Sequence, residues 1–364
     1  MNMELAWGLW IGRISGTNEG TIMLSIDADR LNKAFVCLHD KDPSVPSVRA
    51  IFDLKREGKS IVGTSSLVLP FFDPDYPTNP NAVAPQKINF QGEFNDDWEI
   101  SGNWQTDVDT HGQLKLFDNI QVESSPPDHE LSWSDFKSFI HEKAKTNPDA
   151  IFRGQSDSSW PLVTSFHRTN RRNLFRYQEE DLNNLNKYVA AQLGRKFFLQ
   201  DGGDLSELVL LGQHHGYPTP FLDWTRSPYV AAFFGFNSLD KYEDHDGKVR
   251  VFIFYGQQWR NSGLSGGTAL IDPRPSFNLL DIVSSSNTRV LPQQGLVTFT
   301  NLMSIEHYLK YVEKQTGEKY LEIIDIEAKQ RNDVIADLSL MGINAASLFP
   351  GLDATCQTLK ERDF

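Results

Sequence analysis

Between Gly8 and about Phe117, apolar and polar residues alternate in short segments separated by Gly, Asn and Asp: GLWIGRI, GTIMLSI, VRAIFDL, SIVGTSSLVL, KINFQGEF, WEISGNW and GQLKLF. Successive side chains of a strand point to opposite faces, so this pattern buries one face and wets the other, while the residues in between favour turns. It predicts antiparallel strands forming a β-sandwich or small barrel. Trp7, Trp10, Trp98 and Trp104 fall within this pattern and read as core side chains rather than a ligand platform. Phe71–Gln86 is rich in proline, which cannot donate to a strand ladder, and predicts a long loop over one end of the β-structure.

Ser124–Asp128 (SSPPD) reads as a linker, after which Trp133, Phe136, Phe139 and Ile140 recur at helical spacing. The chain therefore divides into a β-unit over 1–125 and a second unit over 126–364. The second unit predicts a strand ending at Ile151–Phe152, helical patterns around Tyr177–Leu199 and Leu205–Leu211, and a helix at Pro228–Phe236. Further strands are expected at Val249–Tyr255, Leu279–Val283, Gly295–Thr300 and Tyr320–Ile326. Helices and strands in this irregular order imply an α+β fold rather than repeating βαβ units. The glycine-rich Gly263–Gly267 matches no phosphate-binding fingerprint and reads as a loop.

Up to Ser125 there are 10 basic against 18 acidic residues, and 25 against 30 beyond it, within a net charge of −13. That balance opposes broad binding to phosphate backbones or anionic membranes, leaving one local basic patch at His167–Arg168, Arg171–Arg172 and Arg176. Two distant cysteines, Cys37 and Cys356, suggest neither a disulfide framework nor a thiolate zinc site, and fit a reducing cytoplasm. The N-terminus lacks a signal-peptide pattern and no apolar run approaches bilayer-spanning length, so no membrane partner is expected.

Three segments of the second unit combine residues that a core would not select. In Phe152-Arg153-Gly154-Gln155, a guanidinium offers a planar fork to phosphate or carboxylate, with Gly154 admitting close approach; an internal salt bridge to Asp223 is the competing reading. The run Gln213-His214-His215-Gly216-Tyr217-Pro218-Thr219 continues through Asp223-Trp224-Thr225-Arg226-Ser227-Pro228. Ser227 before Pro228 marks a helix start whose N–H groups suit an anion beside Thr225 and Arg226, unless Asp223 caps them. Of the two histidines, one reads as structural and His214 as the pocket residue. A metal held by His214, His215 and Asp223 is disfavoured, since adjacent histidines diverge and no further carboxylate spacing follows. In Arg289-Val290-Leu291-Pro292-Gln293-Gln294-Gly295, paired glutamines before Gly suit neutral hydrogen bonding to a ligand.

These motifs, F-R-G-Q with trailing W-x-L and F-x-R, Q-H-H-G-x-x-T-x-x-L-D-W-T, and N-x-R-x-x-x-Q-Q-G, resemble the FRG domain family over roughly Leu131 to Leu359. The ending Gly342–Asp353 is similar too, whereas Phe221 stands where such domains commonly carry a basic residue. The resemblance implies a bacterial or phage setting, often defence-like, without fixing a reaction; a toxin or effector role follows as an expectation. The order of the motifs parallels the Arg, Ser-Thr-Ser and Glu series of ADP-ribosyltransferases. By that parallel, Arg153 would bind the pyrophosphate of NAD as substrate, Thr225 would prop the pocket, Tyr217 or Trp224 would stack on nicotinamide, and Gln294 would contact its ribose. Gln lacks the charge of the usual Glu, so Asp223 or Glu306 would stabilise the cationic transition state. A protein or nucleic acid would be the acceptor. The alternative is a binding module for a nucleotide-like or phosphorylated molecule with the β-unit as sensor; a nuclease, resting on the arginine cluster, lacks a carboxylate set for Mg²⁺.

Overall fold

A computed structural model of the chain describes residues 7–71, 79, 81–95, 99–118, 122–243, 245–264, 270–280 and 289–364. The expectations for Trp98, Ile282–Val283, Asn287–Thr288, most of the Pro-rich loop and most of Gly263–Gly267 lie outside the described residues. The first eight strands are β1 (Gly8–Gly16), β2 (Gly20–Ile26), β3 (Lys33–Asp40), β4 (Ser47–Glu57), β5 (Ser60–Phe71), β6 (Ile88–Phe94), β7 (Ile100–Thr106) and β8 (His111–Asp118). Each pairs antiparallel with the next, and β8 returns to β1, closing a barrel. The β-structure is thus a barrel and not a sandwich. Its interior is lined by inward side chains such as Trp10, Leu24, Phe52, Ile100 and Trp104.

One strand, β3, was not among the seven alternating segments. Its even positions Ala34 and Val36 enter the barrel, while Phe35 and Cys37 are equally buried on the outside against the second unit. A strand buried on both faces reads as an apolar run and loses the period-two signature.

The second unit carries a seven-stranded sheet among the described residues, in the order β13 (Phe277–Leu280), β14 (Gly295–Thr300), β11 (Phe221–Thr225), β10 (Ile151–Gln155), β12 (Lys248–Phe254), β15 (Leu321–Glu327) and β9 (His129–Leu131). All pairings are antiparallel except that of β15 with β9. One face is covered by α1 (Trp133–Thr146), α5 (Pro228–Phe236), α9 (Arg331–Leu340), α10 (Ala345–Leu348) and α11 (Leu352–Asp363). Against the other pack α6 (Gly256–Asn261) and α8 (Ile305–Thr316). Shorter and connecting helices are α2 (Leu174–Arg176), α3 (Leu182–Leu193), α4 (Gly202–His214) and α7 (Val290–Gln293). The whole is α+β. Among the described residues, no helix is long and apolar enough to cross a membrane.

The expected basic patch is consumed by the contact between barrel and sheet. Asp27, buried in the β2–β3 loop, accepts Arg172 N (2.5 Å) and Asn173 N (2.9 Å) on one oxygen, and Arg171 Nε (2.9 Å) and Arg176 Nη1 (3.0 Å) on the other. Arg176 also forms a two-pronged pair with Asp29, and Arg30 another with Glu180. His167 is buried and bonded to Thr164. The patch was read from residue types alone, and only Arg168 of it is exposed. Ser124–Asp128 is likewise tied down, for Arg250 holds Ser124 Oγ and the Ser125 carbonyl, and Asp128 bonds Ile323.

Candidate functional site

In β10 the three residues of the Phe-Arg-Gly motif face different tasks. Phe152 sits in the core beneath α5. A Cβ on Gly154 would lie 1.9 Å from the Ala231 carbonyl oxygen and 2.9 Å from Gly235 N, so this glycine exists to let α5 press on the strand backbone. Helix approach, and not ligand approach as the sequence suggested, is what excludes a side chain here.

Strands β10 and β11 pair at Phe152 with Thr225 and then part. Arg153 fills the seam: its Nη1 donates to the Asp223 backbone carbonyl at 2.6 Å, and no ion pair with the Asp223 carboxylate forms. Its Nε is buried without a hydrogen-bond partner among the described residues. Burial pushes the guanidinium pKa down, with the Asp223 charge opposing that shift and Arg168 adding to it; at such a starting value the group remains a cation.

Two clefts meet at this residue. The first, about 390 Å³, is walled by Phe152, Arg153, Gly154, Gln213, His214, Asp223, Trp224, Thr225, Arg289 and Gln293 among the expected residues, joined by Val290, Phe234 and Phe349. Arg289 lies over the Phe349 ring, 5.5 Å from its centroid, bringing the C-terminal motif into the wall. The second, about 560 Å³, shares Arg153, Gly154 and Phe234 and adds Gln155, Ser156, Trp160, His167 and Arg168. Trp160 and Arg168 belong to the trailing W-x-L and F-x-R signals, which were read as family marks but not as site residues.

The Gln-Gln-Gly segment is stitched to the Asp-Trp-Thr-Arg segment through the backbone. β11 pairs with β14 from Phe221–Phe299 to Thr225–Gly295; Thr225 Oγ1 donates to the Gln293 carbonyl at 2.6 Å, and Arg226 N to the Gln294 carbonyl at 3.0 Å. The glutamine side chains do other work than expected. Gln293 Nε2 donates to the Leu348 carbonyl at 3.1 Å, anchoring α10, and Gln294 is exposed outside the cleft lining, in a left-handed conformation with φ 49° that ends α7.

Other expected residues stand apart from the cleft or turn their side chains into the core. His215 is exposed at the end of α4, and Tyr217 packs on Tyr177 with its hydroxyl on the Asp181 carbonyl. Thr219 is buried and donates to Gln213 Oε1, thereby orienting a residue that does line the cleft. Arg226 is exposed. Trp224 is a core side chain whose Nε1 donates to Thr298 and whose ring packs on Phe254, so neither Tyr217 nor Trp224 presents a stacking face. Glu306 is buried away from the clefts, accepting Ser125 N and Leu162 N. The start of α5 is capped by its own chain: Ser227 Oγ accepts Val230 N, and Thr225 Oγ1 accepts Ser227 N. It offers little to an anion, and Asp223 does not cap it.

In the second cleft His167 is held neutral, its pKa pushed down to about 3 by burial and by nearby Arg172. Thr164 Oγ1 accepts His167 N and pairs with His167 Nδ1 at 2.8 Å. The other ring nitrogen, Nε2, is buried without a partner among the described residues. Among the described residues, no group of three His, Cys, Asp or Glu is arranged to hold a metal ion.

Residues 148–244 match the family model of the FRG domain, a span that holds Arg153, both histidines and the Asp-Trp-Thr-Arg segment. No family model is matched by the N-terminal barrel. No curated protein and no solved structure matches the chain.

Proposed function

We propose that this FRG-domain protein binds an anionic, nucleotide-like small molecule whose phosphate seats on Arg153. The observation that carries the reading is a half-buried guanidinium on the wall shared by two clefts, which among the described residues bonds a backbone carbonyl and leaves its buried Nε without a partner. A partly buried cation without a bonded anion is unfavourable, and a phosphate oxygen supplies the missing charge with two-pronged geometry. Clefts of this size take one ring-bearing half of a ligand each. A dinucleotide such as NAD, with a diphosphate between two ring systems, fits that division: one end beside Arg289 and Phe349, the other beside exposed Trp160 and the unpartnered His167 Nε2.

A second reading is that NAD is cleaved or its ADP-ribosyl group transferred. It rests on the Asp223 carboxylate, which lines the same cleft as Arg153 and could stabilise a cationic ribosyl transition state. Gln294 and Glu306 have no part in it.

Calorimetric titration of the full chain with NAD and ADP-ribose, paired with a nicotinamide-release assay, separates the two. Binding without consumption, weakened roughly tenfold or more in Arg153→Gln, supports the binding module, since a charge-assisted bond is worth about 1.5–3 kcal/mol. Nicotinamide release that vanishes in Asp223→Asn while binding persists supports turnover. Wild-type protein that binds neither compound would overturn both.

A further inference from the structure

Among the described residues, side chains leave part of the barrel interior empty. One end is plugged by Trp10 and Phe94, whose ring centroids lie 5.9 Å apart, with the Arg56 guanidinium over Phe94. Towards the other end a cavity of about 200 Å³ remains, walled chiefly by residues such as Ile22, Leu24, Val36, Val48, Phe90 and Leu114. An eight-stranded barrel has an interior just wide enough either to be packed by side chains or to hold one small ligand, and an apolar cavity of about 150 Å³ already admits benzene.

Polar groups at the rim are satisfied among themselves. Asp40 is buried and accepts Asn18 Nδ2 and Asp42 N, both at 2.9 Å, and the Thr106 and Thr110 hydroxyls bond each other at 2.7 Å. Among the described residues that line the cavity there is no Lys, Arg or His to meet an entering anion, and the body of the lumen is apolar and offers no partner to a charge.

We infer that the barrel lumen is a binding site for a compact, uncharged apolar molecule of about ten heavy atoms, such as an alkylbenzene. This site is separate from the Arg153 clefts and does not depend on how they are read. Its wall is shared, however: Val36 and Val48 face the lumen, while Phe35, Cys37 and Ile51 of the same two strands pack on the second unit, with Phe35 stacked on Phe175 at 4.6 Å.

The test uses full-length protein with labelled Ile, Leu and Val methyl groups, titrated with n-butylbenzene. Saturable shifts of the Ile22, Leu24, Val36 and Leu114 methyls are expected, with a dissociation constant on the order of 0.1 mM. Octanoate, similar in size but charged, should leave them unmoved, and the lumen-filling Val36→Phe and gentler Val48→Ile should weaken or abolish the butylbenzene response. Val48→Ile keeps the test alive should Val36→Phe not fold. No methyl shift up to the solubility limit, equal response to octanoate, or undiminished binding in the filled variants would each overturn the assignment.

Discussion

Replacing Asp27 with asparagine tests whether the arginine cluster is a structural strap. The carboxylate is 3% exposed and meets four donors, two of them guanidinium groups. Asparagine keeps one acceptor for the two backbone N–H groups but turns an amide donor, or a neutral oxygen, towards Arg171 and Arg176. Removing one partner of a buried pair costs about 3–5 kcal/mol. Arg171 remains about a fifth exposed and Arg176 keeps Asp29 and Glu180, so the lower end, about 3 kcal/mol, applies. For a chain of 364 residues unfolding together, an entropy of about 2.1 cal/mol/K per residue converts this into a fall in Tm of about 4 °C. Scanning calorimetry on the full chain reads that shift. Asp29→Asn, at a position more than half exposed, is the control and should move Tm by less than about 1 °C. An Asp27→Asn shift as small as the control's would refute the strap. If Arg171 and Arg176 serve nucleic acid instead, their neutralisation should lower affinity for duplex DNA while leaving Tm in place.

Two further outcomes follow from the site. His167 has a folded pKa of about 3 against about 6.5 unfolded, so between those values the unfolded chain takes up a proton that the folded one refuses, and stability falls as pH drops below about 6.5. From pH 7 to pH 5, urea unfolding should show wild type losing about 2 kcal/mol more than His167→Asn, and equal losses would show that the imidazole is not held neutral. Gly154→Ala should destabilise by about 3 kcal/mol, read as a lower urea midpoint, because its Cβ meets backbone atoms of α5 that cannot yield; unchanged stability with lost ligand binding would restore the ligand-approach reading.

Much of this architecture was legible because burial on one face leaves a periodic trace. The barrel strands apart from β3, and the helix start at Ser227-Pro228, were readable from alternation and capping chemistry. β3 and β11 were not, for β3 is covered on both sides and β11 everywhere but at Asp223, so neither carries the alternation. At the site, Arg153 and the residues around the first cleft could be grouped by motif. The fate of the glutamines could not: Gln293 spends its amide on Leu348, and Gln294 contributes its carbonyl to Arg226 while its side chain faces solvent. Residue type reveals what a side chain can bond, not which of its own backbone's neighbours will claim it. His167 shows the same limit, since only burial turns a histidine in a basic stretch into a neutral imidazole on a cleft wall.

The parting of β10 from β11 gives Arg153 a mechanical office. Where ladder bonds are missing, one side-chain rung to the Asp223 carbonyl spans the gap. A guest that drew on the same five N–H groups would compete with that rung, and filling the clefts would then loosen or tighten the middle of the sheet in the same event. Occupancy would be felt along β11 into β14 and α5 through the strand ladder itself.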